Sequence, residues 1–261
     1  MEHPAYGTPR PVTAYASVLL CRNPSPMTLE GTNTWLVGAP GAAHRAVIDP
    51  GPDDLDHLRR ADAQGPVSLV LLTHHHDDHT GGVDEFARLT GAPVRALDPE
   101  LCSSGDPLRD GEVVEAGGVP LRVLATAGHT ADSVCFAVDG AEEPAVFTGD
   151  SVLGRGTTVV AHPDGHLRSY LDSLRRLADL PAGTRALPGH GPELPDVAAT
   201  ATAYLDHRTQ RLEQVREVVR GCSREPSARE VVEVVYADVD RSVWPAAELT
   251  VRAQLAYLRG Q

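Results

Sequence analysis

Upstream of Pro195 the chain alternates short apolar runs with turn residues. The runs at residues 12–20, 34–37, 46–48, 67–73, 121–126, 133–138, 145–148 and 184–187 are rich in β-branched residues. Each is bounded by Gly, Pro or Asp, which predicts strands. Helical spacing of apolar positions appears between several of them, over 54–64, 82–90 and 167–180. It is clearest in the last, which reads L-x-x-Y-L-x-x-L-x-x-L. Strands interleaved with helices, and some strands in direct succession, predict a layered α/β sandwich.

Downstream of Pro195 the texture changes. Residues 196–219 carry a long helical pattern without strand signals, stopped by Gly221. Ser227 is an expected N-cap with Glu230 at the capping-box position, leading into a helix through 231–236. Trp244-Pro245 is expected to break the run before a third amphipathic helix over 246–258. The pattern therefore divides the chain into a layered domain over 1–195 and a linker helix with a small all-α module over 196–261.

Composition adds limits. With 261 residues and 41% apolar content the chain can bury a sizeable core. No stretch approaches the roughly 18 consecutive apolar residues of a membrane span, and the first thirty residues show no basic-then-apolar leader. A soluble cytoplasmic protein with no membrane partner is expected. Cys21, Cys102, Cys135 and Cys222 lie far apart without a C-x-x-C pair, so they read as reduced thiols. All 23 basic residues are Arg, which removes mechanisms that need a lysine. The net charge of −13 argues against a broad polyanion-binding surface. From Val197 onward nine Arg balance nine acidic residues, so the C-terminal part repels an anionic substrate least.

The candidate chemistry lies at strand ends. The predicted strand 67–73 runs straight into His74-His75-His76-Asp77-Asp78-His79. In an extended backbone, residues i and i+2 share a side, so His74 and His76 can hold one metal while the next turn swings Asp78 and His79 toward a second. Three later segments repeat one design, a β run ended by small residues and then a ligand: Gly128-His129, Gly149-Asp150 and Gly189-His190. Ligands at the carboxyl ends of several strands of one sheet converge on one crevice. Glycine before each ligand lets the backbone approach a crowded site. Neutral imidazole and carboxylate donors suit zinc.

The series T-H-x-H-x-D-H, G-H-T, T-G-D-S and P-G-H-G, preceded by Asp49 in Ile48-Asp49-Pro50-Gly51, resembles the five motifs of the metallo-β-lactamase superfamily across about residues 12–195. The resemblance implies a four-layer αββα sandwich with two metals in the groove between its sheets. It implies that His74, His76 and His129 hold the first metal and Asp78, His79 and His190 the second, with Asp150 bridging and Asp49 structural. Antibiotic-degrading members generally lack a bridging carboxylate, so β-lactam hydrolysis is not expected; Asp150 resembles instead the glyoxalase II and ribonuclease branches. Residues 23–35 and Tyr204-Leu205-Asp206-His207-Arg208 resemble a lactamase-like subfamily that carries a winged-helix-like C-terminal module. That subfamily usually continues into a short wing where this sequence stops. It includes an endoribonuclease acting on single-stranded RNA and thioesterases acting on acyl-carrier proteins.

Two metals about 3.5–4 Å apart can bridge a hydroxide and polarise the oxygen it attacks. Two Zn2+ are expected, with Mn2+ or Fe as alternatives, and Asp78 as ligand and proton acceptor. The leading expectation is a phosphodiesterase on single-stranded RNA. The alternative, favoured by the net charge, is a thioester or ester hydrolase on acyl-carrier or CoA thioesters. His75 and Asp77 are expected to be solvated loop positions, and Asn33 a structural turn. His162, His166 and His207 stay outside the expected site. His207-Arg208 with Arg211 one turn on could form an anion-binding edge, but a plain joining helix is the preferred reading.

Overall fold

The computed structural model describes residues 6–260. The apolar runs form two sheets. The first holds β1 (Arg10–Pro11), β2 (Ala16–Leu20), β3 (Asn33–Val37), β4 (Arg45–Ile48), β5 (Val67–Leu71) and β6 (Val94–Arg95), side by side in chain order. Strands β1 to β4 pair antiparallel, and β5 and β6 continue in parallel. The second sheet holds β7 (Val113–Ala116), β8 (Val119–Ala125), β9 (Val134–Val138), β10 (Ala145–Gly149) and β11 (Arg185–Pro188). Only its β10–β11 pair is parallel. The helices are α1 (Leu55–Asp62), α2 (Asp77–Thr80), α3 (Val83–Thr90), α4 (Leu167–Ala178), α5 (Val197–Gly221), α6 (Ala228–Val235) and α7 (Trp244–Arg259).

Side-chain alternation stacks these elements into four layers. In β3, Trp35 and Val37 enter a core shared with Phe136, Phe147 and Leu187 of the second sheet. Leu36 turns the other way, against Leu58 of α1 and Phe86 of α3. In β10, Phe147 faces the first sheet, while Val146 packs against Tyr170 and Leu174 of α4. Both faces of these strands are covered, which is why their sequences read as nearly unbroken apolar runs. Trp35 meets Phe147 edge-on, with ring centroids 5.6 Å apart. The αββα sandwich expected from the motifs is the observed architecture.

Helix α5 serves two cores. Its first turns place Val197, Ala201 and Tyr204 on the second sheet's outer layer. Further along, Val215 joins Val231, Val232, Trp244 and Val251 in a small core made with α6 and α7. The capping box holds: Ser227 Oγ accepts from the Glu230 amide at 3.2 Å, and a Glu230 carboxylate oxygen accepts from the Ser227 amide at 2.8 Å.

Some boundaries differ from the sequence pattern. The first run starts as a strand only at Ala16, because Thr13 Oγ1 accepts from the amides of Tyr15 and Ala16 at 3.3 and 3.0 Å and folds the segment into a turn. Trp244-Pro245 opens α7 instead of breaking a helix, since a proline in the first turn loses no intrahelical bond. The short strands β1, β6 and β7 carry no run long enough to stand out. No helix among the described residues is long and apolar enough to cross a membrane.

Candidate metal centre

The structure brings the seven strand-end residues together at the carboxyl ends of β5, β8, β10 and β11. Three groups have candidate ligand atoms within 4.8 Å of one another: His74, His76 and His129; His74, His79 and Asp150; and Asp78, His79 and His190. The single turn α2 swings Asp78 and His79 past His76. Asp78 Oδ2 lies 3.0 Å from His190 Nε2 and 3.6 Å from His79 Nε2, and Asp150 Oδ1 lies 3.5 Å from both. Glycine permits this density. A Cβ on Gly189 would stand 2.7 Å from Asp150 Oδ1 and from His79 Cε1. One on Gly128, at φ +140°, would stand 2.3 Å from the Tyr170 Cα.

Four of the five imidazoles, all but His76, are aimed through their second nitrogen. His79 Nδ1 donates to Asp49 Oδ2 at 2.9 Å, His129 Nδ1 to the Val159 carbonyl at 2.8 Å and His190 Nδ1 to the Gly31 carbonyl at 3.1 Å. Thr73 gives its hydroxyl proton to Asp49 at 2.7 Å, so its oxygen accepts from His74 Nδ1 at 3.0 Å. Asp49 also accepts from the Thr73 amide at 2.8 Å and sits at φ +52°, a left-handed conformation held by these three bonds. The structural aspartate therefore orients His74 and His79 together.

A metal fits this donor set. His74 Nε2 and His129 Nε2, both left as lone pairs by the bonds above, point at His76 Nδ1 from 3.2 and 3.1 Å, and His76 can donate only one proton. Burial, then His79, pushes the His74 pKa well below the usual histidine value; burial, then His129, pushes His76 down to about 4. His74 and His76 therefore present neutral nitrogens to the point that His129 Nε2 also faces. Around the acids the balance reverses. Burial opposes charge on His79, but Asp49 and then Asp150 outweigh it and hold its pKa well above normal. His190, likewise opposed by burial, is raised to about 9, chiefly by Asp150. Asp150 is held well below the usual carboxylate range by His190 and His79 despite its burial. Its Oδ1 is buried without a hydrogen-bond partner. An orphaned carboxylate oxygen among imidazole nitrogens is a cation's place.

The neighbours fall outside this cluster. His75 turns outward to Asp132, Nδ1 to Oδ1 at 2.8 Å, and Asp77 is exposed. Asn33 is a strand residue, not a turn: its Nδ2 donates to the carbonyls of Pro188 and Gly191 at 3.0 and 2.8 Å and fixes the loop that carries His190. His162 and His166 lie together on the surface beside α4 and α7. His207 lines a cleft of about 430 Å³ whose floor includes His129 and Asp150.

That cleft lies between the ligands and the C-terminal helices. Its wall is largely apolar: Met27, Leu29, Leu153, Val239, Val243 and Ala246. Arg155, His207, Arg208, Arg211 and Tyr236 also line it. Sequence reasoning singled out neither Thr73 nor the buried position of Arg208. Thr73 was legible as the residue entering the His-rich turn, whereas Arg208 is placed by the tertiary packing of α5.

Comparisons with known proteins agree with this geometry. Residues 27–190 match the metallo-beta-lactamase superfamily, and residues 227–260 match the beta-lactamase associated winged helix domain. A beta-lactamase-like protein 2 homolog of Drosophila melanogaster is 34% identical over 257 residues, covering 90% of this chain and 85% of the fly protein. An atrochrysone carboxyl ACP thioesterase of Aspergillus chevalieri is 35% identical over 251 residues, covering 90% and 76%. A metallo-beta-lactamase family protein from Thermus thermophilus superposes with a TM-score of 0.78 at 25% identity, covering 95% of this chain and 94% of that one.

Proposed function

The chain belongs to the metallo-β-lactamase superfamily and is a hydrolase of that fold, and from this premise we propose that it hydrolyses acyl thioesters with two divalent ions. His74, His76 and His129 would hold the first ion and Asp78, His79 and His190 the second, with Asp150 as the carboxylate shared by the two groups. The imidazole and carboxylate donors suit zinc, with iron or manganese as the competitors that metal analysis separates. Ions bound there would supply Lewis-acid polarisation of a carbonyl and an acidified water.

The protein's own groups do the rest. Asp78, opposed by burial but held below its ordinary pKa by the hydrogen bond to His190, is a carboxylate at neutral pH and would orient the attacking water and take up its proton. Asp49, Thr73 and the Gly31 and Val159 carbonyls keep the imidazoles fixed while charge develops. The observation that carries the substrate reading is the apolar wall of Met27, Leu29, Leu153, Val239, Val243 and Ala246 beside His129 and Asp150. Such a wall removes an acyl chain from water, at about 0.8 kcal/mol per buried methylene. A relative named as an acyl-carrier-protein thioesterase supports the same choice. Cleavage of single-stranded RNA, the leading sequence expectation, would draw on the arginines of the same cleft, but none of the relatives reported above is named for it.

The test is thiol release by the metal-loaded protein from a series of acyl-pantetheine and acyl-carrier thioesters, with unstructured RNA in parallel. Thiol release that grows with acyl length is the expected result. RNA cleavage without thiol release would replace the reading.

A further inference from the structure

The same cleft contains a charge the fold does not neutralise. Arg208 is 3% exposed, and its Nε has no hydrogen-bond partner. Its guanidinium donates to the Thr158 carbonyl and lies 5.4 Å from the Tyr170 ring centroid. No carboxylate pairs with it among the described residues. Arg211, one turn on, gives its protons to the Gln214 side chain and the Val235 carbonyl, both at 3.0 Å, and lies 4.8 Å from the Tyr236 ring centroid. It too has no carboxylate partner among the described residues. The Nδ1 of His207 is buried and unpartnered. Arg155 differs, being paired with Glu30. Along the cleft lining, among the described residues, the only acid is Asp150, which belongs to the metal cluster.

A buried guanidinium without a counter-charge is costly unless something anionic meets it. In a chain of net charge −13 acids are plentiful, yet the one acid lining this cleft, among the described residues, belongs to the ligand cluster. We propose that Arg208 and Arg211, with His207, form an anion clamp that selects thioesters whose acyl chain carries a carboxylate. This rests on the thioesterase reading and names its substrate class. The acyl side is favoured over the phosphate of a pantetheine arm by proximity. Arg208 binds the Thr158 carbonyl, and Thr158 Oγ1 donates to the Asp150 carbonyl at 2.7 Å, so the clamp sits close to the reacting end. A carboxylate a few bonds from the thioester reaches it, whereas the phosphate is an arm's length away.

The test measures binding and turnover on matched pairs. The S-(4-carboxybutyl) and S-pentyl thioethers of pantetheine differ only in the terminal group, a carboxylate against a methyl; calorimetry on the metal-loaded protein should show the carboxylate bound about tenfold tighter or more. The ratio should fall toward one in Arg208→Gln and in Arg211→Gln; the second is the partly exposed position and covers the case in which the first fails to fold. Glutaryl-pantetheine should likewise be hydrolysed faster than pentanoyl-pantetheine. Equal binding of the two thioethers, or an unchanged ratio in a folded Arg211→Gln variant, overturns the clamp. An S-pentyl thioether of 4′-phosphopantetheine that gains as much as the carboxylate shows that the clamp reads the arm, and overturns the acyl assignment. Carboxylate preference without hydrolysis of any thioester leaves the clamp standing and removes the thioesterase reading instead.

Discussion

The ligand cluster and the cleft wall above it are built by different means. In the cluster, His74, His79, His129 and His190 each spend the second ring nitrogen on a fixed acceptor, and those acceptors are backbone carbonyls or side chains tied to sheet ends. In the wall, Met27 is 48% and Val243 40% exposed, and the contributing segments lie as far apart in the chain as residues 27, 153, 208 and 243. The first arrangement fixes geometry to fractions of an ångström, as catalysis at a metal requires. The second offers area and charge, which decide which substrate enters. Changes to the cluster should therefore abolish turnover, and changes to the wall should redirect it.

The largest effect is expected at Asp150. Asp150→Ala removes the carboxylate between the two ligand groups, so bound metal should fall and thiol release should drop by about 10³-fold or more. Metal analysis alongside the assay checks this, and near-normal turnover would break the comparison at its strongest point. Next comes Asp49→Asn, which leaves every ligand in place but weakens the bonds that aim His79 and Thr73. An affinity loss of about 10–100-fold for the metal is expected from a change behind the ligands, read by competition with a chelator. Val243→Asp should do the reverse. It alters an exposed wall residue, so stability should stay within about 0.5 kcal/mol and metal content should not change, while kcat/KM for neutral long-chain thioesters falls by about tenfold.

The same contrast governs what the sequence makes legible. Strand-end ligands announce themselves because a sheet converts one local pattern, an apolar run, then small residues, then His or Asp, into spatial convergence. Asp150 directly follows β10 and His190 follows β11 by two residues. The αββα layers were legible for a related reason, since strands covered on both faces give dense apolar runs. Boundaries set by single side chains were not: Thr13 shortens β2, and Pro245 opens α7 because it falls in the first turn. The cleft was least legible of all. His207-Arg208 reads as part of a joining helix, and only the packing of α5 against α4, with the C-terminal helices closing over it, buries Arg208 beside the metal cluster. Asn33 shows the same limit, since its role is to bind carbonyls of Pro188 and Gly191, more than 150 positions away.

The central claim, that this cluster is a two-metal thioester hydrolase centre, is tested most directly by titrating metal-stripped protein with Zn2+ while following binding stoichiometry and thiol release together. Two ions per chain are predicted, with turnover appearing as the sites fill and absent without metal. Saturation at one ion or none, or thiol release that does not depend on the metal, would contradict it.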